Sequence, residues 1–597
     1  MKNYSKWAVY LRRYAVQLRT GNLLALLSLV VLAPLFSMPI SQDAEVHKKR
    51  EDYTGSKSCG SCHKQIYEKY MQTSMGRSMA AVTPELNKTL QLPGQYEDEK
   101  LDRRFEIYTQ DGKLYQSEAQ TDALGKEIFR DAHPLVWKIG AGENGFGLLT
   151  DRESFLFQAP LSFYAKPKSW GYSPGYEFAD YGFSRPILEG CIVCHSGLAR
   201  PVAGTNGKYE NPPFSEAAIG CENCHGPGAQ HIAAMRSHTA EAADKSTIVN
   251  PARLDAKLSD NICMLCHQSG DVRVLQPGKS YADFRPGMAL DDVLAILKVQ
   301  PTRESPPDDD HVEHYYSMTL SKCYRASGGA LRCISCHDPH IQPSHEDAPA
   351  YFNKRCMSCH TSRSCTLPIT ARQRTAPADN CIGCHMPKRS IQTISHSSAT
   401  NHRIVRKPGE AFPDIAFEQT NPSLSGVIHL DSTAGKEAQP LPLLTRLRAY
   451  GELAETKPVY VEPYLNVLDQ LSKSQPDDTL VQAALGRKDL RGGDLGGAEK
   501  HLGRSLELEP VQPAVSGDMA EVLSKLGRAE EAVVYLRKAV AEDPFNPVLR
   551  KKLIVSYIGL KQYVEAKKAI EQYLEYFPQD SFMRQMLIRV QGQPTGH

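Results

Sequence analysis

The sequence predicts a mainly α-helical chain in two parts: a domain of short helices packed around covalently attached groups, carrying a small β insertion, and then an α-solenoid. Three observations predict this. The pentapeptide Cys-x-x-Cys-His occurs seven times between residues 59 and 385, strand-like stretches fill the gap between its first two copies, and a 34-residue period governs the carboxy-terminal part.

The copies are Cys59/Cys62/His63, Cys191/Cys194/His195, Cys221/Cys224/His225, Cys263/Cys266/His267, Cys333/Cys336/His337, Cys356/Cys359/His360 and Cys381/Cys384/His385. Sixteen Cys and 20 His in 597 residues would give well under one such match by chance. Cysteines at i and i+3 of a helical turn face the same way. Both thiols can therefore join the two vinyl groups of one haem while the adjoining His reaches its iron. The pattern implies seven covalently attached c-type haems, each with two thioether cysteines and one proximal histidine. Zinc, the other common use of paired Cys-x-x-Cys units, does not require His after every pair, and an odd number of units leaves one without a partner.

Lys2, Lys6, Arg12, Arg13 and Arg19 precede an apolar run from Leu23 to Ile40, the charge-then-hydrophobe order of an export signal. The run is near spanning length and lacks a clean small-x-small cleavage site, so residues 1–50 read as a signal peptide or a retained membrane anchor. A periplasmic or otherwise exported location follows, by general secretion, because haem is attached after an unfolded chain has crossed. The net charge of +2 argues against nucleic acid as a ligand. Fourteen of the 16 cysteines belong to the pentapeptides, leaving Cys323 and Cys365. In an oxidising compartment a disulfide between them is the first reading, inert buried thiols the second and a redox role the third.

Residues 51–406 hold every pentapeptide and read as the heptahaem domain. Residues 407–440, rich in Pro, Gly, Ser and Thr, read as a linker. Residues 441–597 turn helical: Pro476, Pro510, Pro544 and Pro578 stand 34 apart, as do Ala498, Ala532 and Ala566, with Gly493 and Gly527 at turns. This pattern resembles tetratricopeptide repeats. Full units start near Leu480, Ala514 and Val548 and must stack, since a single helix pair cannot bury its apolar face. The resemblance implies a docking surface for redox protein partners; a cap or dimerisation element is the competing use. Within the first domain, Phe105–Tyr108, a turn at Asp111-Gly112 and Lys113–Tyr115 read as a hairpin, and Val136–Phe163, punctuated by glycines, continues the small β insertion. From Cys191 onward the helices are too short for an ordinary core, so the porphyrins must supply apolar surface.

Cys221-Glu222-Asn223-Cys224-His225-Gly226-Pro227-Gly228 with His231 and Ile248-Val249-Asn250-Pro251 resembles the signature of multihaem cytochromes grouped with the tetrahaem electron acceptor of hydroxylamine oxidoreductase. Cys333 to His340, Cys381 to Lys388 and Asn401-His402-Arg403-Ile404 are similar to the same group, particularly to members fused to tetratricopeptide repeats. The resemblance implies distal iron ligands at His231, His340 and His402. His133, His396 and one of His311 or His314 come next. Met75 is a candidate for the first haem, with a methionine-lined packing stripe as the alternative.

Two functions compete. Seven six-coordinate haems would make an electron carrier with no catalytic residue. One five-coordinate haem would make an oxidoreductase acting on a small nitrogen or sulfur compound, with His238, His311, His314 or His345 for proton transfer. No pentapeptide has its His replaced by Lys, the mark of the catalytic haem in pentahaem nitrite reductases. A scaffold whose haems sense redox state is a third reading.

Overall fold

The computed structural model describes residues 52–593, apart from 91, 178, 238–246, 308–311, 362, 392–396 and 431–439. The expected signal or anchor over 1–50 therefore lies outside them, as do His238, His311 and His396. Among the described residues no helix is long and apolar enough to cross a membrane.

The β part is far larger than an insertion. Ten strands form one sheet: β1 (Met79–Ala81), β2 (Gly94–Asp98), β3 (Arg103–Gln110), β4 (Lys113–Thr121), β5 (Glu127–Ile139), β6 (Gly145–Arg152), β7 (Phe155–Gln158), β8 (Leu161–Tyr164), β9 (Ser169–Tyr172) and β10 (Arg185–Pro186). Their order is β10-β7-β6-β5-β4-β3-β2, with β1 added to β5 and the β8-β9 hairpin to β6. The expected hairpin is β3-β4: Asp111 (φ 51°) and Gly112 (φ 74°) form the two-residue left-handed turn that suits strand twist. The long β5 pairs β4 through its first half and β1 and β6 through its second.

This corrects the expectation of a mainly helical first domain, and the reason is physical. Leu148, Leu149, Leu156, Phe157, Ala159 and Leu161 are all at most 1% exposed, so β6 to β8 are buried on both faces. Burial on both faces erases the apolar-polar alternation by which a strand is recognised.

One buried charge makes the sheet sensitive to pH. Glu118 in β4 is paired with Arg103 (3.1 Å), yet burial, with Asp180 and Asp131 nearby, pushes its carboxyl up to about 8. The folded state therefore holds this proton more tightly than the unfolded chain, whose carboxyl titrates near 4.5. Its contribution to stability is full below pH 4.5, falls as pH rises towards 8 and is level above that. Glu118→Gln should remove this decline from a plot of melting temperature against pH; a variant that follows the wild-type slope would contradict it.

Smaller sheets flank the pentapeptides: β11 (Gly197–Pro201) with β12 (Tyr209–Glu216), β13 (Val272–Leu275) with β14 (Leu294–Val299) and β17 (Val427–His429), and β15 (Lys388–Ile391) with β16 (Ser397–Thr400). β17 lies inside the stretch expected to be a linker and is fully buried. Three residues are too few to show alternation in the sequence. The chain then enters helix Leu443–Thr456, whose Leu447, Tyr450 and Leu453 pack with Val272, Val274 and Leu297 of the three-stranded sheet.

Helix pairs follow at Thr479–Gly492 with Leu495–Leu508, Pro513–Lys525 with Ala529–Glu542, and Pro547–Gly559 with Tyr563–Tyr576; Ser581–Gln591 ends the array. Ala498, Ala532 and Ala566 are 0% exposed, where only a methyl fits between helices. Gly493 and Gly527 take the left-handed turn, and the third unit places Lys561 there (φ 58°). The array is also joined to the large sheet. Phe545 sits 5.1 Å from both Phe155 and Phe157 and 5.0 Å from Tyr576, with the Arg152 guanidinium 5.0 Å over its ring.

Candidate functional site

Each pentapeptide forms a single helical turn. In the first, third, fifth and sixth copies the histidine N–H donates to the carbonyl of the first cysteine at 2.9–3.0 Å, closing the turn that sets both thiols on one side. The fourth copy instead ends a longer helix, Ala256–His267, started by the Asp255 side chain accepting from Leu258 N.

None of the 14 pentapeptide cysteines forms a disulfide. Cys62, Cys191, Cys359 and Cys384 are exposed, whereas the other ten are half-buried. The Cys62 thiol has the Ser61 hydroxyl at 3.9 Å, a contact within its own turn, while Cys194 and Cys266 contact other pentapeptides.

Three pentapeptide histidines face a second histidine from elsewhere in the chain. His225 and His340 have ring centroids 6.1 Å apart and planes 20° apart; for His267 and His314 the values are 5.6 Å and 14°, and for His337 and His402, 6.2 Å and 32°. An iron about 2 Å from each of two imidazole nitrogens requires ring centroids about 6 Å apart, so these pairs fit a six-coordinate iron. His314 also stacks on His402 at 4.1 Å, which sets the second and third pairs side by side.

The outer nitrogens are already engaged. His225 Nδ1 donates to Val249 O (2.8 Å), His385 Nδ1 to Val405 O (2.7 Å) and His402 Nδ1 to Thr400 O (2.9 Å), while His340 Nδ1 lies 3.1 Å from the Asp338 carboxylate. Carbonyls only accept, so the first three rings carry their proton on Nδ1 and offer the Nε2 lone pair to a metal. Val249 N also donates to His225 O (3.0 Å) and Val405 N to His385 O (2.8 Å). The same two-bond clamp therefore holds the third and seventh histidines.

Burial keeps the His225, His314 and His402 rings neutral. It pushes His314 down to about 2, helped by the nearby His402, His267 and His337, and His402 down to about 4 against the Thr400 hydrogen bond. His267 is likewise lowered by burial.

Hydrogen bonds knit the pentapeptides together. The Glu222 carboxylate accepts from Thr54 N (3.0 Å), Gly55 N (2.7 Å) and Gly228 N (2.8 Å), tying the third copy to the first. Cys194 Sγ approaches Leu265 O and Cys266 Sγ approaches Val193 O, both at 3.9 Å, joining the second and fourth. Asp260 accepts from Cys333 N (2.9 Å), joining the fourth and fifth; Phe352 packs 5.3 Å from His337, joining fifth and sixth; and Asn353 accepts from Cys381 N (3.3 Å), joining sixth and seventh.

Of the remaining candidates, His231 lies on helix Ala229–Arg236 with a buried Nδ1 that has no hydrogen-bond partner among the described residues. The carbonyl of Asp52, seven residues before Cys59, accepts from Ala229 N (3.1 Å), so this helix starts beside the first pentapeptide. His133 is on β5, 2.7 Å from Asp131 and packed on Phe183 in the large sheet. Met75 is half-buried in a turn whose Ser74 N donates to Gln342 (2.7 Å), near His340. His345 is exposed, 3.6 Å from Glu143. Cys323 and Cys365 are both free thiols rather than a disulfide. The Val249, Val405 and Thr400 carbonyls and Glu222 were not among the expected residues. A backbone acceptor carries no side-chain signature; only the repeated Ile-Val at 248–249 and 404–405 hinted at the clamp.

Residues 525–587 match the tetratricopeptide repeat family. A stretch of 195 residues is 25% identical to "Multiheme cytochrome MtrA" of Shewanella baltica (strain OS185), covering 31% of this chain and 56% of that protein. The chain thus spans about half the length of that relative. Among solved structures, MamA from Desulfovibrio magneticus RS-1 is 20% identical over 24% of this chain and 83% of its own (TM-score 0.22). The TPR2B domain of yeast Sti1, in a "pHsp70-complex", is 19% identical over 19% and 98% (TM-score 0.18). The chain is distantly similar to a multihaem cytochrome and carries tetratricopeptide repeats.

Proposed function

We propose that this protein is an exported heptahaem c-type cytochrome that carries electrons between redox partners. Haem, when bound, supplies reversible one-electron storage at its iron. The observation that carries the reading is the set of three histidine pairs at the separation two axial ligands need. In this reading the 14 pentapeptide cysteines anchor the porphyrins, and His63, His195, His225, His267, His337, His360 and His385 are proximal ligands. His340, His314 and His402 serve the third, fourth and fifth irons, and His231, beside the first pentapeptide, serves His63. The chain's other contributions are to fix ring orientation through Nδ1 and to hold neighbouring sites together through Glu222, Asp260 and Asn353. The repeats dock the carrier to protein partners.

Anaerobic reductive titration of the holoprotein tests this. The carrier should take up seven electrons per chain, and its spectrum should not change on adding nitrite or hydroxylamine. Net consumption of either compound by the reduced protein would replace this reading with an oxidoreductase.

A further inference from the structure

We infer that the surface around the sixth pentapeptide is the docking face for an acidic redox protein, an inference that rests on the carrier reading above. Residues 357–358, 361, 366–371 and 373–378, apart from the haem-attachment side chains, are exposed. Between residues 354 and 389 there are seven Lys and Arg against one Asp. The whole chain has 70 basic and 68 acidic residues; residues 1–50 hold eight against two, so the rest of the chain outside both stretches carries 55 against 65, and beyond residue 50 the excess positive charge is concentrated here. The single acid is already engaged: Asp379 lies 3.4 Å from Arg372.

Lys354, Arg363, Arg374 and Lys388 are exposed and have no carboxylate within 4 Å among the described residues. The segment is also folded on itself: Asn353 donates to Asp379 O (2.6 Å) and accepts from Cys381 N (3.3 Å), which gathers the cations into one region. Beside them Met357, Leu367 and Ile369 are 46%, 56% and 52% exposed. An apolar centre within a charged rim is the composition of a transient protein interface, and one sign of charge steers a partner of the other. The helix here, Ile369–Arg372, is four residues long, too short to lie along a lipid surface as an amphipathic anchor. A protein is therefore the better fit.

The test follows reduction of the full-length holoprotein in a stopped-flow instrument with two probes, a reduced flavodoxin as acidic protein donor and neutral lumiflavin hydroquinone as small donor. The wild-type rate with flavodoxin should fall steeply as salt is raised. The variant K354E/R363E/R374E should lose about tenfold or more of that rate at low salt, and its lumiflavin rate should not change. The milder K354Q/R363Q/R374Q, which keeps its haem count, should lie between them. Equal flavodoxin rates in all three proteins would overturn the inference. So would a parallel loss with lumiflavin, which would assign the cations to the haem itself, or salt-insensitive flavodoxin reduction alongside cation-dependent binding to phosphatidylglycerol vesicles, which would assign them to lipid. Failure of the carrier reading looks different: the wild type would take no electrons from lumiflavin.

Discussion

Replacing His402 with Ala is expected to convert about one iron in seven from low to high spin. His402 is 6.2 Å from His337, its Nδ1 is committed to Thr400 O, and burial holds it neutral, which leaves the Nε2 lone pair for the proposed ligation. Removing it opens a cavity of imidazole size, and added imidazole should enter and restore the low-spin signal. Because His402 also stacks on His314 at 4.1 Å, the neighbouring pair should loosen, seen as a shift in a second haem's potential. An unchanged spectrum in the variant would remove His402 from the ligand set.

Phe545→Ala should separate the repeat array from the large sheet. Phe545 is 5% exposed and fills the space between Phe155, Phe157 and Tyr576, with Arg152 over it. Truncating a buried phenylalanine costs about 3–5 kcal/mol. Here that loss falls on one contact between two bodies rather than on either core. Calorimetry should then resolve two transitions where the wild type has one, with the solenoid melting first. A single transition lowered by only a degree or two would mean that the array is held chiefly by its other contacts, through Leu447 and Tyr450, Asp543 with Asn206, and Arg584 over Phe129.

The parts legible in the sequence were those whose signal is local or repeated. The 34-residue spacing of Ala498, Ala532 and Ala566 marks helix contacts that recur identically, and the Asp111-Gly112 turn declares its hairpin within two residues. The ten-stranded sheet was underread because Leu148, Leu149, Leu156 and Phe157 are buried on both sides and show no alternation. The strand Val427–His429 was missed for want of length. The facing histidines lie far in sequence from the pentapeptides, 115 positions for His225 and His340 and 65 for His337 and His402. Spacing alone could not join them, and His311 and His314 were inseparable until a ring was found opposite His267.

The most direct test of the account is low-temperature EPR of the fully oxidised holoprotein, integrated against a pyridine-haemochrome count. The account predicts seven haems per chain, all low-spin, with no signal shifting on addition of nitrite or hydroxylamine. A high-spin iron that responds to either compound would contradict it, because an open coordination site belongs to an enzyme.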